Sequence, residues 1–113
     1  MEYVVKEYEP SRLLYSFHIR GFQFWDGALV LDEMRAGNKL ALKAEIGNPH
    51  DPEAVAVYHE NTKLGFVPAE ENSLYSQLLF FGHHDVLEVR VLQIDREAEP
   101  WKQVRAGIYI TDK

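Results

Sequence analysis

Six stretches of this chain alternate or cluster their apolar residues as strands do, and two follow a helical spacing. Leu13 to Arg20 places Tyr15, Phe17 and Ile19 on one face and Ser16, His18 and Arg20 on the other, the two-residue period of a half-buried strand. Lys39 to Ile46 alternates as cleanly, with Leu40, Leu42, Ala44 and Ile46 on the inward side. Ala54 to His59 reads as a buried strand, and Glu60 to Lys63 turns it back into Leu64 to Val67, a hairpin that Pro68 ends. Val86 to Ile94 and Gln103 to Ile110 are two further strands, joined by a polar loop that contains Pro100 and Trp101. A short helix is predicted over Ala28 to Arg35, with Asp26 near its start and Gly37 past its end. A longer helix opens with Glu70 and Glu71, whose charges suit a helix N-terminus, and stops at Gly82. Leu74, Leu78 and Phe81 share one of its faces, with Tyr75 and Leu79 beside them.

This order predicts a mainly β (α+β) fold, a six-stranded antiparallel barrel with one or two short helices. Short hairpin links exclude a doubly wound parallel sheet. Leu40, Leu42, Val55, Val57, Leu78 and Val89 are the expected core. With 113 residues the chain has room for one domain, read as a lead-in over residues 1–12 and a barrel over 13–113.

Composition narrows the chemistry. There is no cysteine, which excludes disulfides, thiolate metal sites and cysteine nucleophiles. No apolar run approaches the roughly 20 residues that span a bilayer, and the acidic N-terminus does not read as a signal peptide. The expected setting is the cytoplasm, or the nucleus in a eukaryote. Twelve basic residues against eighteen acidic ones give a net charge of −6, so the whole-molecule field repels nucleic acid and any site for it must be local.

The glycines never cluster into a phosphate-cradling loop, and neither a nucleophile elbow nor a paired-histidine helix signature is present. His83-His84-Asp85 reads as an exposed turn after the helix and not as a metal site. No cofactor, metal or catalytic residue is expected. Two segments remain. Gly21-Phe22-Gln23-Phe24-Trp25-Asp26-Gly27 is a glycine-bracketed aromatic loop, in which at least one ring should belong to the core. Asn48-Pro49-His50-Asp51-Pro52 sets two hydrogen-bonding side chains and an imidazole on a proline-stiffened loop running into a buried strand. On physical grounds alone, Asn48 and Asp51 are turn residues that bond their own backbone.

Those two segments, with Leu40-x-Leu42, the run Glu53-Ala54-Val55-Ala56-Val57, Gly65-Phe66-Val67-Pro68 and the helix carrying Asn72, Leu78, Leu79 and Gly82, resemble the HIRAN domain from about Phe17 to Ile110. The resemblance implies a barrel related to the OB-fold and a non-catalytic binding module. In eukaryotes such modules sit at the front of SWI/SNF-type fork-remodelling ATPases and capture the 3′-hydroxyl end of single-stranded DNA, in repair or replication contexts. Carried over, Phe24 is a stacking ring, His50 stands where the partner ring lies, and Asp51 accepts from the 3′-hydroxyl with Asn48 beside it. Gln23, Trp25 and Phe66 complete the implied DNA-end site, and Phe24, His50, Asn48 and Asp51 are expected to line one shallow pocket. Gln23 stands where DNA-binding members carry an arginine, and Pro68-Ala69 replace a basic pair, so phosphate is held less firmly. The alternative is a protein- or peptide-interaction module on the same fold that has lost DNA binding.

Overall fold

The computed structural model describes residues 11–111; residues 1–10 of the expected lead-in lie outside them. Strands β1 (Ser11–His18), β2 (Lys39–Ala44), β3 (Val55–His59), β4 (Thr62–Phe66), β5 (Leu87–Ile94) and β6 (Val104–Thr111) form one antiparallel sheet in the order β1-β6-β5-β2-β3-β4. Register irregularities at Leu13/Tyr15 in β1 and Val91/Gln93 in β5 mark the bulges that help a small sheet to curl. The β3–β4 hairpin is tighter than expected, pairing His59 with Thr62 across only Glu60 and Asn61.

The curl brings the two outer strands together. Just beyond β1, the Arg20 N–H donates to the Phe66 carbonyl at 2.8 Å and the Phe66 N–H donates to the Arg20 carbonyl at 2.9 Å. The ladder is not continuous around the barrel; this isolated bridge is its seam. Gly65 makes the approach possible, because a Cβ there would stand 2.4 Å from the Arg20 carbonyl oxygen and its φ is +152°.

The core is the inward alternation of the strands: Phe17 and Ile19, Leu40, Val55 and Val57, Leu64, Val89 and Val91, and Val104, Ala106 and Ile108. Leu42 is only partly buried and packs against it. Ile46 is a correction: β2 stops at Ala44, and Ile46 falls in the following turn, 55% exposed.

The first helix, α1 (Gly27–Val30), is one turn long and runs into a 3-10 turn at Leu31–Glu33. The second, α2 (Asn72–Phe80), carries the larger correction. Its inward face is Asn72, Tyr75 and Ser76, with Leu79 packed on the core, while Leu74 and Phe81 are exposed and Leu78 is half-buried. The helical period holds, rotated by one residue. Two contacts explain the rotation. The Tyr75 ring stacks on Tyr15 at 6.2 Å, which stacks in turn on Phe17, and the Asn72 amide bonds Asp51 across the barrel end. An aromatic stack and a buried amide bond each favour this orientation beyond the area they bury.

Candidate functional site

The loop between β2 and β3 is built from its own side chains. Asn48 Oδ1 accepts from the backbone N–H of His50 at 2.8 Å and of Asp51 at 3.1 Å, and its amide donates to Glu45 Oε1 at 3.0 Å. Asp51 Oδ1 accepts from the Glu53 N–H at 2.9 Å, and Oδ2 accepts from the Asn72 amide of α2 at 2.9 Å. Both acceptor positions of Asn48 are therefore filled, whereas an ionised carboxylate has about four and Asp51 uses two of them here.

Glu45 anchors the other side. Lys63 of β4 pairs with its carboxylate and lies over the rings of Trp25, at 3.9 Å, and Phe66, at 4.5 Å, which meet edge-to-face at 6.0 Å. Burial works against ionisation of Glu45, but hydrogen bonds from Lys63 and Asn48 and the Lys63 charge outweigh it and hold the carboxyl below its usual range.

The aromatic turn divides its rings. Gly21 takes φ +76° to enter a 3-10 turn at Phe22–Phe24. Phe22 is the ring that enters the core, seated against Gly27, where a Cβ would stand 2.2 Å from the ring. Phe24, two positions on, faces away and is 77% exposed, and Gln23 is exposed too.

At the seam lies a shallow pocket of about 260 Å³ lined by Arg20, Asn48, His50, Asp51, Phe66 and Asn72, with Ala54, Val67 and Ala69 as its apolar surface. Four of the seven residues singled out in the sequence meet there: Asn48, His50, Asp51 and Phe66. Phe24, Gln23 and Trp25 are not in its lining; Trp25 reaches the site only through Phe66 and Lys63. The expected inclusion of Phe24 assumes that the whole aromatic turn folds over the pocket, but Phe22 takes the inward position and directs Phe24 to solvent. Arg20 and Asn72 were not expected in the site. Asn72 had a readable signal, a polar residue at a helical position one turn from Tyr75 and Ser76. The Arg20 backbone belongs to the seam, which no local pattern discloses. Its guanidinium pairs with Glu70 at 3.0 Å, where both side chains are more than half exposed and solvent screens them.

Among the described residues no cluster of three or more His, Asp or Glu side chains could hold a metal ion, and no helix is long and apolar enough to cross a membrane.

The HIRAN domain model matches residues 13–111 of this chain. The chain belongs to the HIRAN domain family. HIRAN domains are known as DNA-binding modules that do not themselves catalyse a reaction. Two solved structures share the architecture. A protein from Lactobacillus plantarum superposes with a TM-score of 0.76 at 22% identity, over 91% of this chain and 97% of that one. The HIRAN domain of human HLTF gives 0.59 at 15% identity, over 91% of this chain and 82% of that one. No curated protein matches the chain. At these identities the likeness of this HIRAN chain to them is one of fold, an OB-like barrel.

Proposed function

We propose that this HIRAN domain binds single-stranded DNA by its free 3′ end, in the cytoplasm or nucleus and in the service of repair or replication. One observation carries the reading: the seam pocket gathers the Asn48–Asp51 loop, Phe66 and Arg20 around one small concavity. At about 260 Å³ it falls just below the roughly 300–1,000 Å³ of pockets that hold drug-sized ligands, a size for one terminal group and not for a run of nucleotides. Phe66 and the imidazole of His50 offer faces for a base, and such stacking is worth about 1–3 kcal/mol whatever the base. The unfilled acceptor positions of Asp51 suit a hydroxyl. A terminal phosphate would instead set about two negative charges against that carboxylate. Phe24 and Trp25 extend the aromatic surface outside the pocket, and Gln23 contributes polar contact without charge.

The test is a titration with short oligonucleotides ending in a 3′-hydroxyl or a 3′-phosphate at low salt. The hydroxyl end should bind more tightly, and Asp51→Asn should narrow the difference while leaving the fold intact. Equal affinity for both ends, or no binding, overturns the reading. A second reading, a protein-interaction module, draws on α2, whose outer side exposes Leu74, Phe80 and Phe81. It takes over if oligonucleotides fail to bind.

A further inference from the structure

The acidic chain has few cations to spare, and where they stand is informative. Salt bridges among the described residues engage Arg20, Lys39, Lys63, Arg90 and Arg96. Lys102 and Arg105 enter none of them, and both line the same groove of about 500 Å³ between β1, β6 and the 3-10 turn Pro100–Lys102. Arg105 is held there by a neutral partner, its guanidinium donating to Ser16 Oγ at 3.0 Å, so its charge is not cancelled. His18 lies opposite Arg105 in the β1–β6 ladder. Its protonation is disfavoured first by burial and then by the neighbouring charges of Arg105 and Lys102. Trp101, 48% exposed, adds an accessible ring to the wall. The groove's one carboxylate in the lining is Glu70, which faces Arg20. Arg20 lines the seam pocket as well, so pocket and groove are neighbours that share a wall.

We propose that this groove is a second subsite, which takes the phosphates of the nucleotides on the 5′ side of the terminal one, with Lys102 and Arg105 as counter-charges and Trp101 as a stacking surface. The proposal rests on the 3′-end reading of the seam pocket and adds the path of the strand beyond it. A cationic track beside an aromatic face is what sequence-tolerant single-strand binding requires. It also gives an acidic domain a local place for a polyanion that its overall field repels.

Two phosphate contacts predict that the logarithm of the affinity falls against the logarithm of salt concentration with a slope of about −1.4. The experiment titrates the full chain with dT2 and dT8, both ending in a 3′-hydroxyl, across a salt series. It compares the wild type with Lys102→Ala and Trp101→Ala, both on an exposed turn, and with Lys43→Ala as a control on β2. The octamer should bind more tightly than the dimer. Lys102→Ala should weaken octamer binding on the order of tenfold and reduce the slope by about 0.7, while dimer binding holds. Trp101→Ala should weaken the octamer without changing the slope. If the octamer binds with a 3′-end preference but Lys102→Ala leaves its affinity and slope unchanged, the groove is overturned and the pocket stands. If Lys43→Ala lowers the slope as much as Lys102→Ala does, the effect is diffuse charge and the subsite is overturned. If neither oligonucleotide binds the wild type, the 3′-end reading and the groove fall together.

Discussion

The loop between β2 and β3 and the aromatic turn after β1 both reach the barrel's seam, but they present their side chains in opposite ways. In the loop, polar atoms turn inward onto the loop itself: Asn48 holds the N–H groups of His50 and Asp51, and Asp51 holds Glu53 and the first residue of α2. In the turn, one ring is buried and another is left in water: Phe22 is 2% exposed and Phe24 77%. The loop is therefore held rigid by its own bonds, with the unused acceptor positions of Asp51 as its spare capacity, and the turn is anchored with a large unused apolar face. Residue types that look functional in a sequence can be fully engaged in structure, and the capacity to bind a ligand is what remains after that engagement.

This contrast can be broken in order of expected effect. Phe22→Ala should destabilise the domain by about 3–5 kcal/mol in urea unfolding, since it empties a fully buried aromatic site. A loss below about 1 kcal/mol would show that the turn is not anchored through this ring. Asn48→Ala should cost about 1–3 kcal/mol, because it removes the acceptor of two loop N–H groups, and amide exchange should accelerate at His50 and Asp51. Glu45→Gln separates charge from geometry. Its depressed folded pKa means that its contribution to stability is fully present above the ordinary value of 4.5 and is lost as pH falls through the folded value. The variant should therefore be less stable than wild type at neutral pH, with the gap closing below about pH 4. An unchanging gap would assign the effect to the hydrogen bonds alone. Phe24→Ala should have the smallest effect on stability, within about 0.5 kcal/mol, because the ring is in solvent. An oligonucleotide titration of the same variant then shows whether this free ring stacks on DNA.

The strands were legible because their alternation is local: Tyr15, Phe17 and Ile19 fall on the predicted face, and Val55, Val57 and Val89 are buried as expected. The orientation of α2 was not. Leu74, Leu78 and Phe81 have the better hydrophobic spacing, and the partners that turn Tyr75 and Asn72 inward, Tyr15 and Asp51, lie far away in the chain. The site was half legible for the same reason. Asn48, His50 and Asp51 come from one short segment and are found together, whereas Arg20 meets Phe66 only because the sheet curls on itself.

The bridge between Arg20 and Phe66 also sets how the barrel breathes. Two hydrogen bonds join the outer strands there, while β5 and β6 share a ladder from Leu87 to Ile94. The seam can part without breaking that ladder, so the amide hydrogens of Arg20 and Phe66 exchange through a smaller opening than those of β5 and β6. A molecule held by residues on both sides of the seam favours the closed form over the parted one. Its binding free energy is then felt as slower exchange at those two amides, in proportion to occupancy. Arg20 and Phe66 belong to both the pocket and the catch of the barrel, and occupancy of one can be read as tightness of the other.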